Sequence, residues 1–181
     1  VPNTLGDLYL LCSGKSETAT PIKVLPQWQE SFRTKPESEI LGITVLDSFI
    51  LRVMKSPSQI ALIDDTSGML TYRKLLLASL VISKILEKDS EKHVGILLPA
   101  SAGSFIAYFA CLLANKTPVL LNWTTGPANL HHAITFLGIK IILTSQRFID
   151  RVGISVENAQ FVFLEKVKGN TSYASLLTSM L

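Results

Sequence analysis

The chain is predicted to be an α/β protein with a largely parallel βαβ sheet flanked by helices. Three observations carry that prediction. From Gly42 onward, apolar runs of strand length alternate with segments of helical periodicity. Two of the runs, His93–Leu98 and Ile139–Leu143, are continuously apolar rather than alternating, the signature of strands covered on both faces. The connections are short, which favours right-handed βαβ units.

Each element has a local reason. Thr44 is placed to cap a helix, with Asp47 three residues later as a shortened capping-box carboxylate. Val45, Leu46, Phe49, Ile50, Val53 and Met54 then share one helical face, and Pro57 ends it. Gln59–Ile63 suits a strand, and Asp64-Asp65-Thr66-Ser67-Gly68 is turn chemistry. Thr71 caps a long helix running to about Lys88, whose buried side carries Leu75, Leu76, Ser79, Ile82, Ile85 and Leu86. Strand His93–Leu98 and a helix from about Ala102 to Ala114 follow. The series continues with strand Pro118–Leu121, helix Pro127–Leu137, strand Ile139–Leu143, a short helix Gln146–Arg151, strand Gln160–Leu164 and a last helix Thr171–Met180.

Residues 1–40 have a different texture. They are interrupted by Pro21, Pro26 and Pro36 and polar from Cys12 to Thr20, with Leu8–Leu11 and Val24–Trp28 as the apolar anchors. This reads as an extension or linker, with Trp28 and Phe32 packing on a body formed by residues 41–181. The first residue is Val1, so the natural N-terminus is expected elsewhere.

Hydrophobic residues make up 48% and charged residues 17%, rich for a free-standing domain and suggestive of a piece missing its packing partner. A membrane span is the other explanation. The longest apolar run, near Phe105 to Ala114, falls well short of the roughly 20 residues a spanning helix needs. The net charge of +3 is spread along the chain without a basic stripe, which argues against nucleic-acid binding. With Cys12 and Cys111 the only cysteines, no disulfide framework is expected, and a reducing cytoplasmic setting is the default.

Several residue groups invite a catalytic reading. Pro99-Ala100-Ser101-Ala102-Gly103 differs by one residue from the nucleophile elbow G-x-S-x-G. The hydrolase chain order requires an acid and then a histidine after the serine. Here His131 and His132 precede Asp150 and none follows it, so that reading is disfavoured. The same turn opens a helix whose N-terminal amides could face an anion, without the glycines or lysine of a phosphate loop. Thr124-Thr125-Gly126-Pro127 is like a nucleotide loop but lacks the lysine and glycine that should follow, so Pro127 reads as a helix opener. Adjacent His131 and His132 point about 100° apart on a helix and do not form a metal-binding pair. Asp64-Asp65 is explained by its turn, and His93 by local bonding.

The order of segments says more than any one residue. LTYRKL (Leu70–Leu75), VGILLPAS (Val94–Ser101) and YFACLLANKTPVLLN (Tyr108–Asn122) resemble, in sequence, the opening of the large domain of the AMP-binding, adenylate-forming superfamily of acyl-CoA and acyl-ACP synthetases. Asn115-Lys116 replaces the usual Ala-Gly step. LLNWTTGPANL (Leu120–Leu130), ILTSQRFID (Ile142–Asp150) and FVFLEKV (Phe161–Val167) are similar to the bacterial branch containing acyl-acyl-carrier-protein synthetase/2-acylglycerophosphoethanolamine acyltransferase. The resemblance implies a ligase using ATP and Mg2+ to turn a fatty acid into an acyl-adenylate. The acyl group then passes to the phosphopantetheine thiol of acyl carrier protein or CoA and serves lysophospholipid reacylation. It implies partners in the remainder of the same polypeptide and in membrane lipid, and a place in the cytoplasm or at the inner face of the bacterial membrane. No position matches the family's phosphate loop, magnesium-binding acid or mobile lysine, so no catalytic or metal residue is carried over, and the isolated chain is expected to be inactive with no cofactor bound. Only the loop Asn122, Trp123, Thr124, Thr125 and Gly126, at a strand's C-terminal end, is a substrate-side candidate. The alternative is a non-catalytic module that docks an acyl group or a carrier protein.

Overall fold

The structure, a computed structural model, describes residues 5–14 and 42–168. Trp28, Phe32 and the expected helix Thr171–Met180 lie outside the described residues. The chain divides into two units, Val1–Glu39 and Ile40–Leu181. In the first, α1 (Leu5–Cys12) leaves Leu5 and Tyr9 exposed.

The second unit opens with α2 (Val45–Lys55). Its capping box forms as the residue types demand: the Asp47 amide donates to Thr44 Oγ1 at 3.1 Å and the Thr44 amide to Asp47 Oδ2 at 3.0 Å. The Thr44 hydroxyl and amide hold the Asp47 carboxyl below the usual carboxylate range. Phe49 and Val53 are buried, whereas Val45 and Met54, on the expected apolar face, remain exposed.

β1 (Ile60–Asp64) and β2 (Gly68–Thr71) pair antiparallel around the Asp64 turn. This corrects the sequence expectation, which had one strand here. β2 is four residues long, ends on the cap residue of the next helix, and shows no alternation for periodicity to detect. The hairpin forms its own two-stranded sheet. α3 (Tyr72–Leu86) then buries Leu75, Leu77, Ser79, Val81, Ile82, Ser83 and Leu86, a wider face than one stripe. It packs against both α2 and α4 (Ala102–Leu113), so two sides are covered. The buried hydroxyls of Ser79 and Ser83 donate to the carbonyls of Leu75 and Leu80 in the preceding turn.

The main sheet contains β3 (His93–Ile96), β4 (Thr117–Leu120), β5 (Ile141–Thr144) and β6 (Gln160–Phe163), all parallel and ordered β4-β3-β5-β6. Side chains alternate between two cores. On one face Val94, Ile96 and Leu143 meet Val81, Ile82 and Leu86 of α3 and Ala107, Ala110 and Cys111 of α4. On the other, Leu97, Leu121 and Ile142 meet Leu130 and Ile134 of α5 (Pro127–Phe136) and Phe148 of α6 (Gln146–Val152). A short α7 (Leu164–Lys168) adds Val167 to the first core. Cys12 and Cys111 are both free, and burial pushes the Cys111 thiol up to about 12.

The Asn115-Lys116 departure from the family pattern has a structural basis. Asn115 lies just past α4 at φ 55°, its amide on the Leu112 carbonyl at 3.1 Å, while the Lys116 amide reaches Cys111 O at 2.8 Å. That is a Schellman ending, for which asparagine is the best substitute for glycine. Lys116 Nζ then donates to the carbonyls of Asp89 and Glu91, tying this turn to the loop before β3. Replacing Asn115 with glycine should therefore stabilise the chain by about 0.5–1 kcal/mol, read as a higher denaturation midpoint at unchanged slope.

Candidate functional site

In a parallel sheet of this order, α4 leaves β3 toward one face and α5 leaves β4 toward the other. The C-terminal ends of the strands at that reversal form the crevice where α/β sheets place ligands. The loops after β3, β4 and β5 line it.

The loop after β3 is held by the buried Thr144 hydroxyl, which donates to Leu97 O at 2.7 Å, and by the Leu97 amide on Leu143 O at 3.0 Å. Ser101 caps α4. Its Oγ accepts from the Ser104 amide at 3.4 Å, and its own proton goes to Pro99 O at 3.1 Å rather than to an imidazole. His131 and His132 are exposed on α5, with His132 stacked on Phe136 at 5.9 Å. His93 stands at the start of β3, its Nδ1 3.0 Å from Leu137 O. Ser101 thus serves as a helix cap, with no nucleophile–base pair around it.

The helix start that could face an anion already has one. Asp64 Oδ2 accepts from the Ala102 amide at 2.6 Å, and Oδ1 from the Thr66 and Ser67 amides at 2.8 and 2.5 Å. The Ala102 amide, followed by that of Ser67, holds the Asp64 carboxyl below its ordinary value. A phosphate placed here would face this charge directly. Sequence reasoning assigned Asp64 to its turn and missed the bond to α4, because nothing local marks a partner 38 residues away.

This contact has a signed pH dependence. A depressed folded-state carboxyl stabilises above its unfolded value of about 3.9, and that stabilisation is lost as pH falls through the folded value. Asp64→Asn should cost about 1 kcal/mol at neutral pH, a cap-sized effect given how open the site is. Urea melts should show wild type and variant converging as pH falls below the depressed folded-state value.

The sequence-designated loop after β4 forms a three-residue 3-10 turn, Trp123–Thr125. Asn122 Oδ1 accepts from both the amide and the hydroxyl of Thr124, at 3.0 and 2.8 Å. The Thr125 hydroxyl donates to Asn122 O at 2.8 Å, and Asn129 Nδ2 to Thr125 O at 2.9 Å. Gly126 takes φ 90°, a value an L side chain resists, and hands over to Pro127 at the start of α5. The loop's polar groups are turned on one another. Its free feature is Trp123, 40% exposed and edge-on to Phe148 of α6 at 5.7 Å.

After β5, Ser145 caps α6 through the Phe148 amide, and Glu165 accepts from the Gln146 amide at 3.3 Å. Among the described residues no group of three or more His, Cys, Asp or Glu converges. No helix among them is long and apolar enough to cross a membrane.

Residues 50–176 match the family model described as AMP-binding enzyme. The fold is shared with the fatty acid AMP ligase from Legionella pneumophila, with a TM-score of 0.59 and 19% identity over 76% of this chain and 27% of that one. The Klebsiella oxytoca NpsA N-terminal subdomain superposes with a TM-score of 0.59 and 18% identity, covering 70% of this chain and 32% of that one. An AMPPNP-bound nonribosomal peptide synthetase, FmoA3 (S1046A), gives 0.60 and 18%, covering 76% and 15%. The chain therefore spans between about one-seventh and one-third of the structures it is similar to.

Proposed function

The chain belongs to the AMP-binding enzyme family, and on that premise we propose that it is the N-terminal α/β unit of an ATP-dependent ligase that activates fatty acids. In this reading a fatty-acid carboxylate attacks the α-phosphorus of ATP and pyrophosphate leaves. A phosphopantetheine thiol then attacks the acyl carbon, loses its proton, and releases AMP. The acceptor is acyl carrier protein or CoA, and the acyl group goes on to lysophospholipid at the cytoplasmic face of the membrane. The family match over residues 50–176 carries the ligase reading. The similarity of Leu120–Leu130 and Phe161–Val167 to the branch containing acyl-acyl-carrier-protein synthetase supports a fatty acid as the substrate.

The described residues do not fit magnesium-bound ATP. Asp64 occupies the helix start at the crevice, Glu165 sits at the next one, and no acidic cluster is present among them to ligate a cation. The chain's part is that of a scaffold: it sets the sheet and brings the Asn122–Gly126 loop, with its partly exposed Trp123, to the substrate side. The rest of the polypeptide supplies phosphate binding and metal binding.

Incubating the polypeptide that carries this chain with ATP, magnesium and labelled fatty acids should load acyl carrier protein or CoA with a thioester. No thioester on either would overturn the ligase.

A further inference from the structure

Three polar side chains are buried among the described residues, those of Ser79, Ser83 and Thr144. The two serines bond to carbonyls of their own helix. The Thr144 hydroxyl instead crosses from β5 to β3, 47 positions away, and donates to Leu97 O at 2.7 Å.

Thr144 is the last residue of β5, and Leu97 is the first past the end of β3. The hydroxyl therefore carries the pairing of these strands one step beyond the ladder, to the base of the β3–α4 turn. The far end of that turn is held from the hairpin, where Asp64 Oδ2 accepts from the Ala102 amide. Within it, the Ser101 hydroxyl donates to Pro99 O. The turn is thus fixed at both ends and once inside, with Pro99 and Ala100 exposed between. Satisfied buried bonds of this kind select one conformation. The turn lines the crevice, and its exposed residues are small and apolar, with the Asp64 carboxylate at its end. Such a surface repels the phosphates of a nucleotide and suits a hydrocarbon chain.

We propose that Thr144 is a positioning residue for the fatty acid, holding the β3–α4 turn as a wall against which the acyl chain packs. The inference rests on the proposed function, which supplies the substrate. A hydrocarbon chain makes the same contacts before and during reaction, so displacing its wall weakens binding without slowing the chemical step.

The test is the kinetics of pyrophosphate exchange by the intact polypeptide, with the straight-chain fatty acid that wild type uses best. Thr144→Val keeps the shape of the side chain and removes the proton that Leu97 O accepts. The KM for fatty acid should rise at least about five-fold, with kcat and the KM for ATP within about two-fold. Thr144→Ser retains the hydroxyl and should keep the wild-type KM. Val53→Ala, a core truncation in α2, controls for lost stability and should keep it too. An unchanged KM in Thr144→Val, equal rises for fatty acid and ATP, or an equal rise in Thr144→Ser overturns the positioning role and leaves the ligase standing. If Thr144→Val does not fold, Ala100→Trp decides, because it crowds the wall from an exposed position. Its KM for fatty acid should rise, and an unchanged value overturns the proposal. No exchange by wild type with any fatty acid overturns the ligase, and the positioning role with it.

Discussion

Replacing Gly95 with valine is expected to destabilise the domain by about 3 kcal/mol or more, a large share of the roughly 5–15 kcal/mol that holds such domains folded. Gly95 is in β3, a strand with neighbours on both sides. A Cβ there would lie 2.8 Å from Leu121 Cδ1, 3.0 Å from Ile142 Cγ1 and 3.3 Å from Ile139 Cγ2. All three side chains are buried, at 6%, 0% and 1% exposure, so none has room to withdraw. Alanine alone should cost about 1–3 kcal/mol. Elsewhere in a strand, alanine for glycine would gain up to about 1 kcal/mol by restricting the unfolded chain. The sign thus distinguishes close packing from backbone propensity, and urea denaturation of both variants reads it.

Leu143→Ala is the second large effect. Leu143 is fully buried in β5, between β3 and β6, and its side chain joins Val94, Ile96 and Ala107 in the α3–α4 core. Removing its methyl groups leaves a cavity that a paired central strand cannot collapse around, so about 2–5 kcal/mol should be lost. Leu120→Ala provides the comparison. Leu120 is 69% exposed on the edge strand β4, and its truncation should stay within about 0.5 kcal/mol. Equal losses at the two positions would contradict the sheet order β4-β3-β5-β6, with β5 inside and β4 at the edge.

The parallel sheet was readable because its strands are buried on both faces. Val94–Ile96 and Ile141–Leu143 need continuous apolar runs, and Thr44 and Thr71 mark helix starts by side-chain chemistry that acts within three residues. β2 was not readable, since four residues with Met69 exposed carry no alternation. Long-range polar contacts were equally hidden: Asp64 reaching Ala102, Lys116 reaching Asp89, and Thr144 reaching Leu97 depend on the finished fold. Trp123 against Phe148 joins the turn after β4 to α6, 25 positions away in sequence.

At the crevice, the sequence motifs that suggested chemistry became structural once their partners were known. Ser101 caps a helix, and Thr124 and Thr125 close a turn on Asn122. The buried groups around them complete hydrogen bonds within the chain, and no buried side-chain polar atom among the described residues is left without a partner. Satisfied groups of this kind stabilise a scaffold. In the proposed reading this unit sets the sheet, and the reacting groups come from elsewhere in the polypeptide.

Fatty-acid-dependent exchange of labelled pyrophosphate into ATP is the most direct measurement of that division. The polypeptide carrying this chain should catalyse exchange when a fatty acid is added, and Ser101→Ala should retain it, because Ser101 acts as a cap. Exchange that is absent with every carboxylate tried, or that is abolished by Ser101→Ala in a protein that still folds, would contradict it.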